Sequence, residues 1–202
     1  MSRIEPTTPA GVVAAVLALV DGRSGRLRLA VDGAPIHEAH ALAAQVVEQH
    51  GRAVHVRAEG FWRPAGQRFE YGREDPDAWL DVWLDDAALE REVLLRAVEE
   101  GEVVPALRDP VSDRSVRAAP VGVPEPGLVV VSGSGLLGRW LPFDVTVHLQ
   151  ASPAALRRRL PADEQWLVEA LTRYADERAP ADLADLVVRV EDPRHPALVL
   201  ER

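Results

Sequence analysis

The sequence predicts an α/β fold in which helices cover both faces of a mostly parallel sheet. Two observations carry this expectation. Apolar runs of strand length alternate along the chain with segments of helical spacing. The central runs, residues 27–31 and 128–131, are largely apolar throughout rather than alternating, the pattern of strands buried on both faces. Ligands of such sheets sit beyond the carboxyl ends of the strands. The loops after residues 32, 57, 131 and 149 are therefore the informative ones.

Taken in order, residues 10–20 read as an N-terminal helix, opened near Thr8-Pro9 and closed at Asp21-Gly22. The apolar stretch is too short to span a bilayer, and no basic segment or stop-transfer pattern accompanies it. A cytoplasmic protein with no membrane partner is expected. Residues 27–31 form a strand, 36–49 a helix and 53–56 a second strand. Residues 59–75 carry Pro64, Gly66 and Gly72 and read as loop. Helices are expected over 76–84 and 87–98. Residues 101–126 hold five prolines and read as loop or hairpin. Strands follow at 128–131 and 143–149, helices at 153–160 and 163–178, and final strands at 186–190 and 197–200. The organisation expected is one domain over residues 25–202 with the helix of residues 1–24 appended.

Composition narrows the chemistry. The net charge is −9, which disfavours binding to phosphate backbones, so no nucleic-acid partner is expected. The 202 residues include no Cys, so disulfides and thiolate metal sites are absent. They also include no Lys and no Asn, so every cation other than His is an Arg. A phosphate-binding or Schiff-base lysine is not available.

Six stretches carry a resemblance. The first is Ala30-Val31-Asp32-Gly33-Ala34-Pro35-Ile36-His37-Glu38-Ala39-His40. After the second strand comes Glu59-Gly60-Phe61-Trp62-Arg63-Pro64. An acidic segment follows, Gly72-Arg73-Glu74-Asp75-Pro76-Asp77-Ala78-Trp79, and then Arg108-Asp109-Pro110-Val111-Ser112-Asp113-Arg114. The third strand ends Val130-Val131-Ser132-Gly133, and the end of the chain carries Ala184-Asp185-Leu186-Val187-Val188 followed by Asp192-Pro193. In order and spacing these resemble the uridine kinase and phosphoribulokinase-like branch of P-loop kinases. The resemblance covers residues 25–200. It implies a P-loop NTPase-like, five-stranded, mostly parallel sheet flanked by helices on both faces. It also places Gly33, Glu38, Ser132 and Arg158 around the phosphate loop, the strand end and the lid. Phe61, Trp62, Arg63, Asp75, Asp109 and Arg114 fall on the acceptor side. Glu59 stands where the family carries the acid that accepts the acceptor hydroxyl's proton.

The departures from that family are chemical. A working phosphate loop reads G-x-x-x-x-G-K-[ST]. Counting from Gly33, its second Gly is Glu38, its Lys is Ala39 and its hydroxyl is His40. The acid ending the third strand is Ser132. The lost groups all serve the triphosphate and its metal, the main source of rate in phosphoryl transfer. The expectation is a degenerate Walker A and Walker B protein. It would bind a small nucleoside-like or phosphorylated ligand without ordinary ATP chemistry, as a pseudokinase or as an enzyme repurposed for proton transfer. Catalytic candidates for the latter are His37, His40 and Glu59. Two alternatives stay open: an active nucleoside or small-alcohol kinase using ATP and Mg²⁺ through a lysine-free loop, and an interaction protein with a vestigial pocket. No cofactor is certain, and self-association into a homo-oligomer is left open.

Three other patterns compete. His37 and His40 share a helix face, but the spacing is one residue short of H-E-x-x-H, so no metal site is expected. Gly133-Ser134-Gly135-Leu136-Leu137-Gly138 follows a strand as G-x-G-x-x-G, yet the expected acid about 20 residues on is missing. Trp79 and Trp83 are four apart on one helix, a spacing that suits core packing better than base stacking.

Overall fold

A computed structural model describes residues 3–200. Along the chain run β1 (Arg3–Pro6), α1 (Pro9–Val20), β2 (Arg26–Gly33), α2 (Ile36–His50) and β3 (Ala53–Arg57). Two short helices follow, α3 (Ala65–Arg68) and α4 (Pro76–Asp81). Then α5 (Asp86–Leu89) continues through a π-helical segment, Glu90–Leu95, into α6 (Arg96–Glu99). A small two-stranded ladder pairs β4 (Glu102–Val103) with β5 (Val121–Gly122). The chain closes with β6 (Gly127–Gly133), β7 (Val145–Gln150), α7 (Pro153–Arg159), α8 (Leu167–Arg178), α9 (Pro180–Leu183), β8 (Leu186–Arg189) and β9 (Ala197–Leu200).

The main sheet runs β1-β9-β8-β7-β2-β6-β3. From β3 to β8 all neighbours are parallel, so the sheet is mostly parallel as expected, but the five strands expected for the whole sheet make up only its parallel part. The antiparallel strands β9 and β1 extend them to seven. β1 escapes the sequence reading because Arg-Ile-Glu-Pro has no apolar run and every residue in it is exposed. It pairs with β9 through backbone hydrogen bonds that composition does not announce.

The two faces of the sheet follow strand alternation. Leu29 and Val31 of β2, with Val145, Val147 and Leu149 of β7, pack on Val13 and Val16 of α1 and Val46 of α2. α1 thus shares its core with the parallel strands. Ala30 and Asp32 face the other way, toward Leu156 of α7 and Leu171 and Tyr174 of α8. Val56, Val129 and Val131 meet Leu89, Val93 and Leu94 of the π-containing helix. Each such side chain, fully buried, contributes roughly 1.5–3 kcal/mol.

Helix ends obey local chemistry. Thr8 caps α1 by accepting the Gly11 amide hydrogen, Ser152 caps α7, and Asp85 caps α5. Gly51 closes α2 in the left-handed region at φ 70°. The helix expected over 76–84 stops at Asp81. The Val82 and Trp83 amides both donate to the Ala78 carbonyl, and Leu84 instead bridges to Trp62. No helix among the described residues is long and apolar enough to cross a membrane.

Candidate functional site

The phosphate-loop position is short and filled. Only Ala34 and Pro35 separate the end of β2 from the first turn of α2. Gly33 is required there. Its φ is +151°, and a Cβ would lie 2.5 Å from that of Leu149 on the adjacent strand. With no glycine at position 38, the helix begins at Ile36, where a wider loop would have presented amide hydrogens. Ala39 is fully buried. Glu38 turns inward, 3.5 Å from the Arg159 guanidinium. Burial pushes the Glu38 carboxyl up, against the pull of Arg159. Arg159 also donates to the carbonyls of Val190 and Ala34. Arg159, not Arg158, thus meets the phosphate-loop position. Arg158 is exposed, one helical step out of phase.

His40 lies at the centre of a hydrogen-bonded chain. Its Nε2 is 2.6 Å from Glu59 and its Nδ1 is 2.7 Å from the Ser132 hydroxyl. The same hydroxyl is 2.7 Å from Nε2 of His55. Two directions satisfy all of these contacts. With His40 neutral, it donates to Glu59 and accepts from Ser132, which accepts from His55. With His40 protonated, it donates to both Glu59 and Ser132, and the hydroxyl reverses to donate to His55. Burial, with His40 and Arg57 adding, lowers His55 to about 4, so His55 is neutral at pH 7 under either direction. Ser132 is fully buried, Glu59 nearly so. One Glu59 oxygen has no hydrogen-bond partner among the described residues. His55 entered no expectation. Its signal was a histidine in the middle of an otherwise apolar strand.

The remaining expected residues separate. His37 is exposed and joins none of these contacts. Phe61 is buried in the core with Leu89 and Leu94. Trp62 packs edge-on against Trp83 at 5.1 Å, and Trp79 and Trp83 are buried as expected. Asp75 caps α4 through the Ala78 amide. The Asp109 carboxylate organises its own turn, accepting from the Val111 and Ser112 amides and the Ser112 hydroxyl. Those bonds hold it below the usual carboxylate range. Arg63 reaches Asp85 only at 3.8 Å, and Arg114 is exposed. The cation buried on this side is Arg68, which lies over the rings of Trp62, Phe69 and Trp83 and bonds Asp113. In the G-x-G-x-x-G loop, the Leu136 amide donates to Asp32 and the Leu137 amide to the Tyr174 hydroxyl. Those two donors are not available to a dinucleotide.

No family model and no curated protein sequence matches the chain. Solved structures do. A possible uridine kinase from Bacillus stearothermophilus superposes with a TM-score of 0.70 at 18% identity, covering 89% of this chain and 96% of that one. A candidate fructose transport system kinase from a Silicibacter species superposes with a TM-score of 0.59 at 27% identity, covering 87% of this chain and 91% of its own. The chain has the P-loop kinase-like fold.

On a P-loop kinase-like fold, magnesium and a nucleoside triphosphate are the implied partners, and the residues at their position do not fit them. Phosphate binding there needs backbone amides in a loop, a lysine, and a hydroxyl or acid on the metal. This chain offers a helical turn, the Glu38 carboxylate, Ala39, and a His40 already bonded to Ser132 and Glu59. Among the described residues no cluster of three or more His, Cys, Asp or Glu side chains could hold a metal ion.

Proposed function

We propose that this P-loop kinase-like chain binds a small nucleoside-like or phosphorylated molecule and does not carry out ordinary ATP-dependent phosphoryl transfer. The supporting observation is the phosphate-loop position occupied from within. Glu38 stands where β- and γ-phosphates would lie, and its countercharge is Arg159. A triphosphate would have to break that pair and approach a carboxylate, while no lysine exists to replace the lost attraction. Glu59 and Ser132 are closed off around His40 rather than open to a substrate.

The test is a coupled ADP-release assay with MgATP and, in turn, uridine, cytidine, fructose and glycerate as acceptors. The reading predicts no release above the enzyme-free control. Turnover near the range of about 1–100 per second usual for kinases would replace it with the active-kinase reading.

A further inference from the structure

A second group of ionisable side chains lies on the face of the sheet under α8, in a cleft that borders Gly33 and Ala34 at the start of the phosphate-loop position. Asp32 and His148 are direct partners in the parallel ladder between β2 and β7, so both side chains leave the same face. Asp32 is fully buried. Its carboxylate accepts the Leu136 amide hydrogen at 2.8 Å and the Tyr174 hydroxyl at 3.0 Å, and faces Nδ1 of His148 at 2.7 Å. The carboxylate fixes the proton on Nδ1. In the neutral ring Nε2 then carries the free lone pair. Burying an ionisable pair costs stability that two apolar residues in the same register would not. Here the pair sits at the wall of the cleft.

That cleft has a volume of about 410 Å³, within the roughly 300–1,000 Å³ of small-molecule sites. His148 lines it, with Leu156 and Leu171 supplying apolar surface. Its charged lining is Asp176, Asp182 and Glu191 against the single cation Arg189. Glu191 accepts from the Ser152 amide and hydroxyl, and these bonds hold it below the usual carboxylate range. The Thr172 hydroxyl gives its hydrogen to the Val168 carbonyl and can only accept a further one. Hydrogen-bond acceptors and negative charge therefore dominate. An anion would be repelled, and a molecule rich in N–H or O–H donors would be matched.

We propose that this cleft is a binding site for a small, non-anionic molecule bearing a hydroxyl or amine, which donates a hydrogen bond to Nε2 of His148. Asp32 and Tyr174 act as positioning residues that set the ring. The proposal deepens the functional reading by choosing the non-anionic branch of its ligand class and naming the site. It rests on that reading only in that a small ligand is bound, and MgATP turnover in the kinase assay would leave it standing.

The experiment follows the imidazole nitrogens of His148 by long-range ¹H–¹⁵N NMR during titration of the full chain. The probes are ribose, uridine and ethanolamine, each paired with its monophosphate. The expected result is a shift of the His148 Nε2 resonance with at least one unphosphorylated probe and weaker binding of its phosphate. The sugar, nucleoside and amine arms distinguish the source of the donor. His148→Phe should weaken binding about threefold to tenfold, the worth of one hydrogen bond. Because that variant also strips a partner from Asp32, a surface pair serves as a second check. Asp176→Arg with Asp182→Arg, both at exposed positions, should reverse the preference in favour of the phosphate. No His148 shift with any probe at millimolar concentration, or equal affinity for a probe and its phosphate, overturns the proposal.

Discussion

Nε2 of His40 lies 2.6 Å from a carboxylate oxygen of Glu59. This contact joins the first turn of α2 to the turn after β3, over the carboxyl end of β6. Truncating His40→Ala would strand the Glu59 carboxylate and remove one of two imidazole partners from Ser132. Leaving a buried charged acceptor unpaired costs about 1–3 kcal/mol or more. Urea unfolding should therefore show a lower midpoint for His40→Ala, with His40→Gln between it and the parent.

Ser132→Ala tests the other half of the chain. It removes the only hydroxyl between His40 and His55 and leaves a nitrogen on each ring without that partner. The expected loss is about 1–3 kcal/mol. It should be coupled to that of His40→Ala, so the double variant loses less than the sum.

His55 makes stability depend on pH. Its ordinary value is 6.5, and burial lowers it to about 4 in the folded chain. Between these values the unfolded state takes up a proton that the folded state refuses. Stability should fall as pH drops from about 6.5 to about 4. His55→Gln should flatten the urea midpoint across that window.

Glu38 works in the opposite direction. Burial raises its carboxyl from 4.5, so the folded chain holds the proton to a higher pH than the unfolded chain does. Its contribution is present below 4.5 and lost as pH rises through the folded value. Glu38→Gln should therefore be more stable than the parent at alkaline pH, with the advantage shrinking on acidification.

Arg68 is the buried cation of the acceptor side, with a side-chain exposure of 4% and Asp113 as its ion-pair partner. Replacing it with Ala empties the space between Trp62, Phe69 and Trp83. The change should lower the urea midpoint, chiefly through the lost contact with the three rings, because Asp113 is itself 31% exposed. It should also alter tryptophan fluorescence, because two of the facing rings are Trp.

The parallel sheet was legible because its strands carry apolar runs between segments of helical period, and that pattern survives without neighbours. Glu59, His40 and Ser132 were legible because the start of α2, the end of β6 and the turn after β3 meet at the carboxyl ends of the strands in this topology. What stayed hidden depends on register or phase. Asp32 and His148 are far apart in sequence and meet only because β2 and β7 are adjacent and in step. The alternation of Val145, Val147 and Leu149 did place His148 on the opposite face, but nothing local named Asp32 as its partner. The choice between Arg158 and Arg159 turned on about 100° of helix rotation, which the run of three arginines does not fix. Asp75 and Asp109 read as ligand residues and serve as a helix cap and a turn anchor, roles that the same residue type fills through its short acceptor side chain.

The central claim is that the chain's own side chains occupy the place of the phosphates. Calorimetric titration of the purified protein with MgATP tests it most directly. The account predicts no detectable heat at millimolar nucleotide, with or without Mg²⁺. Micromolar, Mg²⁺-dependent binding would contradict it, because it would mean that Glu38 and Arg159 part readily and that arginines and backbone amides rebuild the site.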